Sequence, residues 1–448
     1  AAPSLTRRRR VSDSSTTSAM LRVVGLCLVV FMQARRTSSR RPHSKARRKA
    51  FVARDSWSRR RRPQQRARAY EEELASTAAA LAAPGKSILA SDETAETMAA
   101  RFEAFGIPYS VGTATEYRRV MYRSADLGKF VSGAILTEEC LYDAECVEAL
   151  SASSIICGVR ADRKTAPLPG ARQGETWTTG ADTLLERAEA YRAAGAKFAK
   201  WRARFRVNAN DGAPSALAVK ENCWTMARSA RTLQEVGLVP MLEPAILHDG
   251  DHAIDRAAEL SERLYVEVFR AMSENGVNLE CLLLSPTMTL PGADNADEIN
   301  AELVAAYSVR TLERTVPSAV PGCAFASAGL PEEDASLCLD AINRIERKGP
   351  WSLLAGFSRS TQMSCFMAWA KQFQQEEDHA GDEDKDHDKA NAAAENGDKA
   401  AAQKHALDAQ ALLVGRAKAN AAANLGQYAP SSAPSLDQTP SLKGWATR

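Results

Sequence analysis

Phe198-Ala199-Lys200-Trp201-Arg202 reads as a buried strand that ends in two cations. In a strand, residues two apart face the same side, so Lys200 and Arg202 point together. An unpaired charge turned into a core is strongly disfavoured. Two inward cations at a strand end therefore suggest an anionic ligand, against the plainer reading of two solvated charges at a strand tip. What separates the two readings is how many other strand ends look alike.

Outward from this stretch, short apolar runs recur from residue 87 to residue 355, most of them separated by amphipathic helical stretches. They are Ser87 to Ser91, Gly133 to Leu136, Ile155 to Val159, Phe198 to Trp201, Val239 to Leu242, Cys281 to Leu284, Gly322 to Ala326 and Ser352 to Ala355. A helical pattern from Tyr70 to Ala82, broken at Pro84-Gly85, precedes them. Strands alternating with helices predict a parallel sheet, and eight is the number that closes a (β/α)8 TIM barrel. A doubly wound open sheet is the runner-up. No Gly-x-Gly-x-x-Gly fingerprint follows the first strand, so a dinucleotide-binding version has no support.

In such a barrel, function sits where the strands end. Here those ends carry Asp92-Glu93-Thr94, Glu138-Glu139, Arg160 with Asp162, Lys200 with Arg202, Glu243, Ser285, Ser327 with Gly329, and Ser358-Arg359. Any one could be a surface charge, but so many on one face make a site the better reading. Arginines and small-residue turns with free amides suit phosphate. Carboxylates beside a lysine suit proton transfer on a sugar or keto compound.

Several ordered motifs go further: Ala83-Pro84-Gly85-Lys86 leading to Leu89-Ala90-Ser91-Asp92-Glu93, Phe198 to Arg202, Pro214-Ser215-Ala216-Leu217-Ala218, Val239-Pro240 with Glu243-Pro244, Asp249-Gly250-Asp251-His252, and Arg314-Thr315-Val316-Pro317. On these residues the chain resembles class I fructose-bisphosphate aldolase over roughly residues 70–375, with a weaker echo at the tail. The resemblance implies reversible aldol cleavage of fructose 1,6-bisphosphate into two triose phosphates through a Schiff base on a lysine, with no metal and no cofactor. It implies that Asp92 takes the C4 hydroxyl proton, that Glu243 is the acid and base of carbinolamine dehydration, and that Lys200 tunes that glutamate. Arg160, Arg202, Ser327, Gly329 and Arg359 are implied phosphate binders, and Thr94 and Thr97 are grouped with them. A homotetramer is likewise what the resemblance implies.

The chain departs from the family at the chemistry. The Schiff-base lysine is expected at the end of the sixth strand, in a Leu-Leu-Lys-Pro-Asn-Met setting, where this chain reads Leu283-Leu284-Ser285-Pro286-Thr287-Met288. A hydroxyl cannot form an imine, and loss of a covalent nucleophile costs on the order of a thousandfold to a millionfold in turnover. A second glutamate is replaced by Ala245, a phosphate-side lysine by Arg160, a lysine before Arg101 by Ala100, and a loop glycine by Ala328. Phe357 and Ser358 replace a tyrosine and a glycine, and the family's terminal tyrosine has no counterpart before Arg448. Three readings follow: an aldolase, a non-catalytic member that binds sugar phosphates or serves as a structural or regulatory subunit, and a lyase that uses Lys200 as its amine.

Charge is uneven along the 448 residues, whose net value is +3. Residues 1–68 are crowded with arginine and residues 376–398 with acids. The basic excess lies in a terminal segment, which argues against a nucleic-acid-binding domain. Met20-Leu21-Arg22, the apolar run from Val23 to Met32 and the small Ala34 resemble a secretory signal peptide, too short for a membrane span. The following acid-poor stretch, with Ala50-Phe51, resembles a transit peptide. Together they resemble the bipartite leaders of plastid proteins in algae with complex plastids. A disordered basic tail on a cytoplasmic protein is the alternative. The mature form is expected to have no membrane partner.

The expected organisation is a disordered leader over 1–68, the barrel over 69–375, an acidic low-complexity insertion over 376–400, and a helix with a mobile tail over 401–448, docked through Leu412, Leu413 and Val414. None of the nine cysteines forms a Cys-x-x-Cys pair, and they read as reduced, mostly buried thiols. His248 and His252 have metal-like spacing for a helix, but Asp249-Gly250-Asp251 between them predicts a loop.

Overall fold

The computed structural model describes residues 70–208, 212–295, 300–347, 349–379, 387–430 and 433–437, and gives no side-chain environment for residues 374–379 and 387–399. The expected leader, the middle of the expected acidic insertion and the end of the expected mobile tail lie outside the described residues. The chain divides into two units, Ala1–Arg61 and Arg62–Arg448, and everything below concerns the second.

The sheet of eight strands is parallel throughout, in the order β1 (Ser87–Ala90), β2 (Val131–Leu136), β3 (Ile156–Arg160), β6 (Phe198–Phe205), β7 (Val239–Ile246), β8 (Leu283–Leu284), β9 (Gly322–Phe325) and β10 (Ser352–Ala355). A small antiparallel hairpin, β4 (Thr165–Pro167) and β5 (Thr176–Thr178), is inserted between β3 and β6. The Ala90 N–H donates to the Phe357 carbonyl at 3.2 Å and draws the last strand back to the first. The expected (β/α)8 TIM barrel is therefore the fold.

Alternation along each strand divides its side chains between two cores. Ile88, Ile135, Phe198, Met241, Leu283, Ala324 and Leu354 fill the barrel interior with Leu74 and Leu81 of α1 (Glu71–Leu81), which plugs the end where the strands begin. Trp201, Ala203, Phe205, Leu242 and Leu284 face outward against the helices. Phe198 fills the interior so tightly that a Cβ on Gly158 would stand 2.3 Å from its ring, so only glycine fits there.

Two strands run further than expected, and this moves the site. Expected to stop at Trp201 and Leu242, β6 and β7 continue in register to Phe205 and Ile246. Lys200, Arg202 and Glu243 are therefore strand residues rather than strand-end residues. The extension holds because Arg202 and Glu243 are opposite each other and pair. The run from Cys281 is shorter than expected. Leu279–Cys281 is a 3-10 turn, begun by the Asn278 side chain accepting from Glu280 N–H, and only Leu283–Leu284 is strand.

The outer helices are α2 (Ala95–Glu103), α3 (Val111–Tyr122), α4 (Glu138–Leu141), α5 (Ala144–Ala152), α6 (Leu184–Ala193), α7 (Ala216–Val236), α8 (Ile254–Glu274), α9 (Ala301–Thr315), α10 (Glu332–Arg344), α11 (Arg359–His379) and α12 (His387–Ala423). On α12, Leu413 is fully buried, with Leu412 and Val414 partly so. A polar network sets the helix's position. Arg416, fully buried, donates to the Glu332 carbonyl and to Ser336, and Asn424 joins the Ala355 N–H to the Lys86 carbonyl. Those last two bonds tie the end of α12 to β10 and to the entry of β1. Among the described residues, no helix is long and apolar enough to cross a membrane. The described cysteines are all buried free thiols.

Candidate active site

Because Trp201, Ala203 and Phe205 face the helices, Lys200, Arg202 and Arg204 face the barrel's own axis. The same alternation on β7 places Met241, Glu243 and Ala245 inward. The lower half of this face is apolar and the upper half is charged. The polarity of the site is thus written into two adjacent strands.

Lys200 is the centre. Its Nζ lies 3.0 Å from Asp92 Oδ2 and 2.8 Å from Glu243 Oε2. All three side chains are buried. Arg202 Nε stands 2.9 Å from the other oxygen of Glu243. Burial pushes the Asp92 carboxyl up, but Lys200, Arg160 and Arg202 more than offset this and hold it below the usual aspartate value. Burial likewise pushes Glu243 up, and Lys200 with Arg202 brings it below its usual value. For Lys200, burial would favour the neutral amine, but the two carboxylates hold it charged, above its ordinary value.

Arg160 ends β3 and pairs with Asp162 at 2.7 Å; Asp162 also accepts from the Arg202 N–H at 3.1 Å. Arg160 and Arg202 thus form one basic station on neighbouring strands. The second station lies at the ends of β9 and β10. Ser360 Oγ donates to Ser327 Oγ at 2.8 Å, and Arg359 donates to the Gly329 carbonyl at 2.8 Å. In a ring of eight, the third and fourth strands stand opposite the seventh and eighth. Two basic stations therefore face each other across the barrel mouth, with the Asp92–Lys200–Glu243 cluster contributed by β6, β7 and the loop after β1.

Ser285 follows β8 directly. It is buried, and its N–H donates to the Leu242 carbonyl at 2.7 Å, which fixes it beside β7. The Thr94 hydroxyl caps α2, accepting from the Thr97 N–H at 3.2 Å and meeting the Thr97 hydroxyl at 3.1 Å. His248 and His252 lie in a loop with ring centroids 6.4 Å apart, and among the described residues no set of three His, Cys, Asp or Glu side chains is placed to hold a metal.

Sequence reasoning left Arg204 and Asp437 unnamed, and gave Glu93, quoted at the end of the first strand, no role of its own. Arg204 continues the period-two row of Lys200 and Arg202, a signal present in the sequence. Glu93 pairs with Arg101 at 3.3 Å and accepts from Ser358 at 2.6 Å, so it braces the loop after β1 against the loop after β10. Asp437 places its carboxylate 3.3 Å from Arg359, from a stretch nearly eighty positions away that carries no motif.

Ala328 adopts φ +55°, inside the left-handed region, where a side chain costs about 1 kcal/mol relative to glycine. Ala328→Gly is expected to stabilise the fold by about 1 kcal/mol, read as a higher urea midpoint at unchanged slope. Asp437 pairs with the guanidinium of Arg359, which the resemblance implies to be a phosphate binder. Asp437→Asn is expected to tighten inorganic phosphate binding by about three- to tenfold, read by calorimetry. No change would mean that the pair does not compete with the anion.

A family model, fructose-bisphosphate aldolase class-I, matches residues 73–408. The chain belongs to the class I fructose-bisphosphate aldolase family. It is 37% identical over 367 residues to fructose-bisphosphate aldolase 2, chloroplastic, of Arabidopsis thaliana, covering 81% of this chain and 83% of that one. It is 38% identical to the cytosolic aldolase 4 of the same plant, covering 80% and 84%. A solved aldolase from Plasmodium falciparum superposes with a TM-score of 0.71 at 35% identity, over 80% of this chain and 95% of that one. The family match runs past residue 375 into α12, beyond the stretch carried by the motifs.

Proposed function

We propose that this aldolase-family protein binds a sugar bisphosphate of the fructose 1,6-bisphosphate type, one phosphate at each basic station, and that imine-based cleavage is impaired. The observation that carries this reading is the pairing of Ser285 at the end of β8 with a Lys200 that is held charged between two carboxylates. Ser285 stands where the family is expected to carry its Schiff-base lysine, and a hydroxyl cannot replace that amine. Only a neutral amine attacks a carbonyl, so Lys200 is a poor substitute. The surviving carboxylates and arginines support binding.

Borohydride trapping with fructose 1,6-bisphosphate, followed by peptide mass analysis, tests this. The expected result is ligand binding by calorimetry, no reduced adduct, and aldol cleavage reduced at least about a thousandfold from that of an aldolase with the lysine in place. An adduct on Lys200 with turnover would replace this reading with a lyase of altered design.

Family relatives are both chloroplastic and cytosolic. We infer plastid delivery from the signal-like and transit-like composition of residues 1–68, tested by fluorescence from a fusion to that segment. A homotetramer is the assembly we infer from the family, tested by sedimentation.

A further inference from the structure

The basic station at β3 and β6 holds three arginines, and their surroundings differ. Arg160 is matched by Asp162, and Arg202 by Glu243. Arg204 lies two residues beyond Arg202 on the same face of β6. The residue opposite it on β7 is Ala245, which carries no charge. Among the described residues Arg204 makes no hydrogen bond or ion pair, and its buried Nε has no partner. Burial and the neighbouring Arg202 lower its affinity for its proton, with Asp249 acting in the opposite direction. A half-buried guanidinium that feels Asp249 only at a distance and forms no direct ion pair, beside two that have theirs, is an electrostatic excess that an anion relieves.

We propose that Arg204, facing the uncharged Ala245, joins the phosphate station of Arg160 and Arg202 at the β6–β7 edge of the barrel mouth as a third phosphoryl-binding guanidinium. The planar fork of Arg204 offers donors to oxygens that Arg160 and Arg202, engaged with their own carboxylates, meet only in part. The neutral residue at 245 is what leaves Arg204 available: a carboxylate there would be its direct cross-strand partner. The identity of the ligand as a sugar bisphosphate rests on the function proposed above. The existence of the subsite does not.

The test separates the two. Arg359→Gln weakens the opposite station, so inorganic phosphate bound by this variant of the full chain reports mainly on the Arg204 side. In that background Arg204→Met is expected to weaken phosphate binding at least tenfold by calorimetry, and Arg204→Lys to recover part of the loss. Ala245→Glu, which sets a carboxylate against the guanidinium, is expected to act like Arg204→Met. With Arg359 intact, Arg204→Met is expected to weaken fructose 1,6-bisphosphate by about the same factor. Arg204 forms no described bond, so its removal leaves the melting temperature essentially unchanged. Equal phosphate binding with and without Arg204 would overturn the subsite. Arg204-dependent phosphate binding in a protein that does not bind fructose 1,6-bisphosphate would uphold the subsite and overturn the sugar-bisphosphate reading.

Discussion

Ser285→Lys is expected to raise aldol cleavage of fructose 1,6-bisphosphate by at least about a thousandfold and to yield a borohydride-trapped adduct at position 285. Position 285 is buried and held by a backbone hydrogen bond to Leu242, so a side chain placed there starts from a fixed point beside β7. Its neighbours suit a nucleophilic amine. Lys200 is charged, and a second cation nearby disfavours protonation of a new lysine, which increases the fraction of neutral amine. Glu243, ion-paired and buried, follows directly on Leu242, whose carbonyl holds the Ser285 N–H, and is the acid and base that the resemblance implies for the dehydration steps. The measurement is a coupled triose phosphate assay beside peptide mapping of the reduced adduct. A folded, ligand-binding Ser285→Lys variant with neither adduct nor cleavage would show that the altered loops, and not residue 285 alone, stand between this chain and catalysis. Full activity of the unaltered chain would overturn the impaired reading altogether.

Lys200→Met is expected to destabilise the fold by about 3–5 kcal/mol at pH 8, because it leaves Asp92 and Glu243 buried without their shared cation. The pH dependence distinguishes this from a packing loss. In the unaltered protein Asp92 and Glu243 have lowered carboxyl pKa values, so their stabilisation is present above about pH 4 and is lost as pH falls through the folded values. Lys200 has a raised value, so its stabilisation is present below about pH 10 and is lost only as pH rises through the folded value. These three groups therefore contribute a flat profile between those limits. In the variant, at least one carboxylate takes up a proton more readily when folded than when unfolded. The stability it withholds at pH 8 returns as the pH falls toward 5. Urea denaturation at the two pH values reads this directly. An equal loss at both would assign Lys200 a packing role, and the triple change Asp92→Asn, Lys200→Met, Glu243→Gln is expected to recover much of the stability by removing the buried charges together.

Much of this is legible in the order of the residues. The strand rhythm carries the barrel, because interior strands of a parallel sheet are short, apolar and separated by helices. Asp92, Lys200, Arg202 and Glu243 are legible because charges at buried-strand positions need a reason. The strand ends of β6 and β7 are not, since charged residues there look like the start of a loop. They stay in the sheet because Arg202 meets Glu243 across the strands, and Arg204 with Ala245 follows in the same register. Thr94 and Thr97 look like ligand-binding hydroxyls in a linear reading. The Thr94 hydroxyl also caps α2 by accepting from the Thr97 N–H, a use of threonine that a linear reading leaves open.

The architecture, the family and the serine at position 285, where the resemblance leads to the expectation of a lysine, need no coordinates, because they depend on residue identity, periodicity and order. Which charges meet is a matter of tertiary structure alone. Lys200 reaches Asp92 from a strand more than a hundred positions away, Asp437 reaches Arg359 from the tail, and Arg204 is left facing Ala245 by a register that one residue of slippage would destroy. Ion pairs form over a few ångströms of space, whatever the distance along the chain. Only folding fixes which of these side chains carries an unanswered charge.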